Sequence, residues 1–331
     1  MAQKLTAFLG GLLLLSALGA SREARGAEVI KIGTLAPKSS PWGKVFETWA
    51  KAVNEKSGGG LQLQFFYNGQ QGDEDAMVGK IRSGQLDGAA VSGVGLSKVY
   101  KPILALQMPG LFSAWTKLDA ARNAMKSEFE KGALDAGFFI AGWADIGLVR
   151  MMSKGFAIKT PADYKGKKAV YVRADPMQPA VYSVIGGVSE VPLNVPEILP
   201  NLNIGAVNVL SAPCLAAEQL QWGGKLDNLN DAVIGVAIGA TIFSQKRLHA
   251  LPADLRAILL DTGKVAASAL TTRIRAEDAA ALDRLKGKMT VPTMSADDKA
   301  KWERILKTAR QKLAQGTFSA DLVTKLEGYA R

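Results

Sequence analysis

Cysteine and histidine are almost absent from this chain of 331 residues, which contains one of each. The single cysteine, Cys214, excludes an internal disulfide, and the single histidine, His249, argues against a histidine-based zinc site or a Ser-His-Asp triad. Because Cys214 has no evident histidine partner, we expect a small buried residue rather than a nucleophile. His249 lies at the end of a predicted helix, where a structural role is favoured.

Runs of like charge are also missing. The net charge is +11, but the basic residues are scattered and no run of five or more like charges occurs. The chain has no GKS or GKT phosphate loop, and the SGVGLS stretch at residues 92–97 lacks the third glycine of a dinucleotide fingerprint. We therefore expect no nucleic-acid partner and no cofactor.

The sequence also offers no evident catalytic set. The adjacent acids Asp73 and Glu74 could carry acid–base chemistry. Their place at the start of a predicted helix favours capping instead. We therefore expect that the protein is not an enzyme.

The one long apolar run lies at the N-terminus. It spans residues 5–20 and follows Lys4, which is typical of a secretory signal peptide. The run is too short for a comfortable membrane span, so we predict a signal peptide over residues 1–27 and a periplasmic protein, with an uncleaved anchor as the alternative. The later apolar segment 232–243 is short and rich in β-branched residues, which predicts a buried strand.

Strand and helix patterns alternate along the rest of the chain. Strands are predicted at residues 29–35, 61–67, 86–91, 138–143, 147–152, 169–173, 188–193, 206–210 and 232–238, with helices between most of them. This alternation predicts an α/β fold with parallel strands, and the length favours two domains. The segment from Pro252 to about Leu285 has no internal proline and predicts a helix long enough to run along both domains.

The stretch from Arg150 to Pro213 carries the strongest functional signal. Arg150 interrupts an otherwise apolar strand, and in open α/β sheets ligands bind beyond the strand ends. An arginine there can meet a ligand, or it can pack its stem and leave the guanidinium in water.

Several motifs occur in an order that is similar to one protein family. They are IKIGTLAPKSSPWGK, LQLQFFYNGQQGDEDAM, IRSGQLDGAAVSGVGLS, MPGLF and IKTPADYKGKK. From about Ile30 to its end, the chain resembles the substrate-binding (P) subunits of TRAP transporters, the DctP-like family. Each motif alone is weak, but their order and spacing are specific.

The resemblance implies a two-lobed periplasmic binding protein of type II-like α/β fold with a long lobe-spanning helix. Lobe I is expected to comprise residues 28–150 plus about 236–265, and lobe II residues 151–235 plus about 266–331. It also implies that a small organic ligand binds between the lobes and is delivered to a membrane permease. The family's usual ligands are small organic acids, gripped by a hallmark arginine whose planar guanidinium suits a carboxylate.

Carried over residue by residue, the family's site is only partly kept. Arg150 stands at the place of an auxiliary cleft arginine and Glu74 at that of a cleft glutamate. The hallmark arginine is replaced by Val170, and the next arginine in the chain is Arg173. Ala212 stands at the place of a ligand-binding asparagine, and Val195 stands near that of a cleft aromatic residue. The resemblance therefore implies these ligand-binding positions: Glu74, Ser92, Arg150, Val170, Arg173, Val195 and Ala212.

These replacements predict a divergent member of the family with a more apolar ligand. An anionic head at the usual place would lose its best donors at Val170 and Ala212. We expect an apolar or amphipathic ligand, such as a hydrophobic acid, with Arg150 and Arg173 holding any charge at the rim. Alternatively, a strand shift brings Arg173 into the hallmark role. A ligand carrier or sensor that acts with a non-permease partner, such as a tetratricopeptide-repeat protein, is the alternative function.

Overall fold

The structure is a computed structural model that describes residues 26–330. Residues 1–25 of the predicted signal peptide lie outside the described part of the chain. Within the described part of the chain, no helix combines the length and apolar character needed to cross a bilayer.

The fold alternates strands and helices as the sequence predicts. The strands are β1 (Glu28–Thr34), β2 (Leu61–Phe66), β3 (Gly88–Ser92), β4 (Phe138–Ser153), β5 (Lys168–Val172), β6 (Ser189–Leu193), β7 (Val209–Pro213) and β8 (Asn228–Ser244). The helices are α1 (Pro41–Lys56), α2 (Glu74–Arg82), α3 (Gly93–Ser97), α4 (Trp115–Asp135), α5 (Met177–Ile185), α6 (Val195–Asn203), α7 (Cys214–Gln219), α8 (Gln245–Ala250), α9 (Ala253–Lys286), α10 (Ala296–Leu313) and α11 (Ala320–Ala330).

All eight strands form one sheet in the order β2-β1-β3-β8-β4-β7-β5-β6. Pairing is parallel in the outer parts, between β1 and its neighbours and between β5 and its neighbours. The central strands β4 and β8 pair with each other in antiparallel fashion. Strand β4 is also antiparallel to β7, and β8 is antiparallel to β3. We call the β2-β1-β3 side the first half and the β7-β5-β6 side the second half.

The long strands β4 and β8 pass from one half to the other. β3 pairs with residues 239–243 of β8, whereas β7 pairs with residues 149–153 of β4. The β4–β8 register shifts three times, and the shift between Asp145 and Gly147 lies between these two regions. Such bulges bend a strand and increase its twist, so the two halves lie at an angle around this central ribbon.

The sequence patterns predicted two strands, 138–143 and 147–152, where the structure has one. The pattern is broken by Gly147, which adopts a φ of 151° at a bulge rather than ending the strand. A Cβ at Gly147 would lie 2.5 Å from the Cβ of Pro213 and 2.7 Å from a carboxylate oxygen of Asp278. Glycine is therefore required here by close packing as well as by conformation.

The helix starts follow local chemistry. The side chains of Ser40 and Asp73 accept hydrogen bonds from backbone N–H groups of the first turns of α1 and α2, as N-cap residues do. Ser295 and Asp298 form a reciprocal capping box at α10. The strand predicted over 232–238 is longer in the structure. The β-branched run continues β8 to Ser244, whose hydroxyl then caps α8.

Helix α9 has 34 residues and connects the two halves. It packs on β4 along its length, on α1 of the first half and on α7 of the second. The division of the remaining chain into two lobes is a proposal. The contacts favour one change to the expected boundaries, because α10 packs on α5 of the second half, whereas α11 packs on α4 of the first.

Candidate functional site

A cavity of about 260 Å³ lies between the two halves of the sheet. It is bordered by the carboxyl ends of β1, β3 and β5, where open α/β sheets bind their ligands. Residues 144–149 of β4 and 234–241 of β8 contribute its floor. The same part of the ribbon contains the register shift between Asp145 and Gly147.

Five of the seven predicted site residues line this cavity. They are Glu74, Ser92, Val170, Val195 and Ala212. Their roles in ligand binding stay predictions, but the fold brings them together from five separate segments of the chain. Arg150 and Arg173 are the two predicted residues that the structure does not place in the lining.

The walls of the cavity are mainly apolar. Val170 and Ala212, at the expected places of the family's arginine and asparagine, are only 2% and 5% exposed. The apolar contribution from both halves includes Trp42, Phe46, Val149, Val170, Val181, Val195, Ile198, Leu210, Ala216, Leu220, Trp222, Ile234 and Val236. Among the described residues that line the cavity there is no lysine, arginine or histidine. The site can therefore hold an apolar group well, but it offers no formal positive charge to an acid.

Glu74 lines the cavity with a carboxylate that is already engaged. One oxygen accepts the backbone N–H of Ser92, and the other accepts the Ser92 hydroxyl and, at 2.9 Å, the N–H of Gly95. Burial raises the pKa of Glu74, against the opposing effect of these hydrogen bonds. The contacts tie α2 to the start of α3, so Glu74 shapes the first-half wall.

Arg150 is buried within the protein and does not reach the cleft rim, contrary to the expectation. Its guanidinium donates to the backbone carbonyl groups of Asp231 and Leu148, each at 3.2 Å. It also lies 3.8 Å from the carboxylate of Asp278. The sequence pattern could not distinguish this inward direction, because neighbouring strand residues point to opposite faces of the sheet.

Asp278, on the long helix α9, connects three parts of the fold. Its two oxygens accept the backbone N–H groups of Leu148 in β4 and Leu215 in α7, each at 2.9 Å. Desolvation raises the pKa of Asp278 despite these bonds and the nearby Arg150. Next to this group, Cys214 is buried, as predicted, and burial raises the pKa of its thiol to about 11.

Arg173 lies outside the cavity on the surface of the second half. Its side chain is 56% exposed, 3.4 Å from a carboxylate oxygen of Glu197 and 3.3 Å from the carbonyl oxygen of Pro192. In this structure it does not take the place of the missing hallmark arginine. The residue lies in the turn that follows β5, outside the strand that contains Val170.

A buried ion-pair network borders the floor of the cavity. Asp145 of β4 is fully buried and lies 2.7 Å from both Arg122 and Arg275. Asp119 pairs with the same two arginines, and the guanidinium hydrogen bonds and charges hold its pKa below the usual range. The two arginines therefore compensate the charge of Asp145. No local sequence pattern indicates this network, because the partners of Asp145 lie in α4 and α9.

Asp175 was not anticipated from the sequence as a site residue. It lies in the turn between β5 and α5 and lines the cavity together with Gln178 in the first turn of α5. One carboxylate oxygen accepts the backbone N–H of Met177 at 2.9 Å. Burial raises the pKa of Asp175 to about 6. The available signal was an aspartate just past a predicted strand end, where ligand contacts concentrate.

Comparison with known proteins agrees with this architecture. The profile of bacterial extracellular solute-binding protein family 7 (DctP) matches residues 32–316. A solute-binding protein of Verminephrobacter eiseniae is 26% identical over 272 residues, which are 81% of this chain and 80% of that protein. The 2,3-diketo-L-gulonate-binding periplasmic protein YiaO of Escherichia coli is 27% identical over 180 residues, about half of each chain.

Solved structures show the same fold at low sequence identity. A TRAP periplasmic solute-binding protein of Sulfurospirillum deleyianum with bound succinate superposes with a TM-score of 0.85 at 18% identity, over 92% of this chain and 100% of that chain. The sugar acid binding protein of Advenella mimigardefordensis, in complex with galactonate, gives a TM-score of 0.85 at 17% identity and covers 92% and 98%. The protein described here belongs to bacterial extracellular solute-binding protein family 7, the DctP family.

Proposed function

We propose that this protein is the periplasmic binding component of a TRAP-type transporter and captures a small organic ligand with a large apolar part. In this proposal the ligand binds in the cavity between the two halves, the halves close around it, and the complex delivers it to a membrane permease. The observation that carries the ligand class is the apolar lining of the cavity, with Val170 in place of a guanidinium. The family supports the transport role.

The energetics of the cavity favour an apolar ligand over a small polyanion. Moving apolar surface out of water contributes about 25 cal/mol for each Å² buried. A carboxylate moved into the same place loses its hydration and meets no lysine or arginine among the lining residues, so its desolvation is not offset. The related proteins bound to succinate and galactonate hold acids. We propose that this chain has diverged from that mode.

Native mass spectrometry of the protein purified from its own periplasm tests the ligand class. We expect a co-purified molecule that is released on denaturation and has an extended apolar portion. Finding a small di- or tricarboxylate at high occupancy would contradict the proposal. Because Arg150 does not line the cavity, its replacement by alanine is a poor test of direct contact, since it also removes the partner of a buried carboxylate.

A steric variant tests whether the ligand occupies this cavity. Val195→Trp places a large ring in the lining, and we expect at least a tenfold loss of affinity for the co-purified ligand in calorimetry. Val265→Trp makes the same change where the side chain is 69% exposed on α9, and should leave affinity unchanged. Equal affinity in both variants would exclude the cavity as the binding site.

Uptake into proteoliposomes tests delivery. Liposomes that contain the large and small permease subunits of the matching transporter should accumulate labelled ligand only when the wild-type protein is added outside, and not with Val195→Trp. Binding without any uptake would contradict the transport role and favour a carrier or sensor with another partner.

A further inference from the structure

We propose that Asp175 and Gln178 form the polar end of the binding cavity and select a ligand with a protonated amine head on its apolar body. This inference rests on the proposed function, because it assumes that the cavity is the ligand site. It differs from the expectation of a hydrophobic acid, which placed the ligand charge next to Arg150 or Arg173.

Unused hydrogen-bonding capacity at this end of the cavity is the first argument. The carboxylate of Asp175 has one oxygen bound by the Met177 N–H, and its other oxygen has no hydrogen-bond partner within residues 26–330. The side-chain amide of Gln178, three residues later, also makes no hydrogen bond in the described part of the chain. An ammonium group has several N–H donors and no acceptor, so it can bind the free carboxylate oxygen and the amide oxygen together.

The balance of charge in the cavity is the second argument. Of the three acids in the lining, Asp145 is paired with two arginines and Glu74 accepts three hydrogen bonds. The carboxylate of Asp175 accepts a single hydrogen bond, from the Met177 N–H, and has no cationic partner in the described residues. Lys98 borders an adjoining recess beside Asp73, where it is bound to Asp75 at 3.1 Å.

The physical consequence is a preference for a positive head. A buried carboxylate without a counter-charge is costly, and a ligand cation at hydrogen-bond distance offsets that cost. A ligand carboxylate would instead meet a like charge, unless one of the two acids took up a proton. The apolar walls formed by Val170 and Val181 then contact the rest of the ligand.

Three probes with the same six-carbon body separate the possible heads. Hexylamine, hexanol and hexanoate are titrated by calorimetry at pH 8 into wild-type protein, Asp175→Asn and Glu303→Gln. Asparagine keeps an oxygen for the Met177 N–H. Glu303 is exposed on α10, so its replacement makes the same charge change away from the lining. We expect wild type and Glu303→Gln to bind hexylamine at least tenfold more tightly than hexanoate, and Asp175→Asn to lose that preference.

The pH dependence supplies a second measurement in the wild-type protein. Tyr171 and Tyr182 are the titratable groups of β5 and α5 nearest Asp175, and Glu74 and Asp145 line the opposite side. Burial raises the pKa of Tyr182, and hexylamine stays protonated below pH 8. We expect hexylamine affinity to fall by up to tenfold for each pH unit below about 6, as Asp175 takes up a proton, and to change less in Asp175→Asn.

The outcomes separate this inference from the proposed function. If hexanol and hexanoate bind and hexylamine does not, the amine head is refuted while an apolar ligand cavity remains. Equal binding of hexylamine to wild type and Asp175→Asn also refutes it. If none of the three probes binds, both the inference and the apolar-ligand proposal fail.

Discussion

Replacing Asp175 by asparagine should stabilise the ligand-free protein at neutral and alkaline pH. The carboxylate lies in an apolar cavity, and burial raises its pKa from 3.8 to about 6. Asparagine has nearly the same shape and can keep the hydrogen bond from the Met177 N–H, but it has no charge to desolvate. The substitution therefore removes mainly the cost of an unpaired buried charge.

The sign and size of the effect follow from linkage. Because the pKa of Asp175 is higher in the folded protein than in the unfolded chain, the folded state binds the proton more tightly. The stability that this tighter proton binding at Asp175 provides is fully present below about pH 4 and is lost as the pH rises through about 6. A shift of about two pKa units corresponds to about 3 kcal/mol. The asparagine variant should thus exceed wild type by about 2–3 kcal/mol at pH 8, and by much less at pH 4.

Urea denaturation of both proteins at pH 4 and pH 8 provides the measurement, with the free energy of unfolding taken by linear extrapolation. Glu303→Gln is the matched control, since Glu303 is exposed and does not line the cavity. The reasoning is refuted if Asp175→Asn is less stable than wild type at pH 8, or if the difference is the same at both pH values. The first result would mean that the carboxylate is stabilised in the folded protein, and the second that its pKa is the same in the folded and unfolded states.

Two further substitutions test the roles assigned to buried and exposed charges. Asp278→Ala leaves two backbone N–H groups and the buried Arg150 without their acceptor, so the free energy of unfolding should fall by about 3–5 kcal/mol. Glu277→Ala, at the preceding position of α9, should lower it by less than about 1 kcal/mol in the same urea titration. A similar loss in both variants would contradict the role of Asp278. Arg173→Ala should change stability by less than about 1 kcal/mol, because its pair with Glu197 is exposed, and should leave ligand affinity in calorimetry unchanged; a tenfold loss would mean that Arg173 reaches the ligand.

The elements of the fold were largely predictable because they depend on local chemistry. The aspartate at position 73 marks a helix start that the structure confirms. The apolar run 232–243 was correctly expected to be a buried strand, and it lies within β8. These signals are contained within a few neighbouring residues, so no knowledge of tertiary contacts was needed.

The site was less predictable because side-chain direction depends on distant partners. Arg150 points towards Asp278, which follows it by more than a hundred positions and lies on another element. Asp175 matters because nothing positive approaches it in the described structure, and an absence of neighbours leaves no pattern in the sequence. The loss of the hallmark arginine at Val170 could be noticed only through the family resemblance, since one valine in an apolar strand is otherwise ordinary.

The placement of β3 beside β8 affects how this protein can be made. One edge of β3 pairs with β1, and its other edge pairs with residues 239–243 of β8. Strand β4 also pairs with β8 along most of its length. A ribosome-bound or partly exported chain that ends before this point carries two central strands with open edges, which are prone to pair with other chains. The N-terminal region is therefore poorly suited to expression as a separate fragment, and completion of the sheet has to wait until β8 has been synthesised.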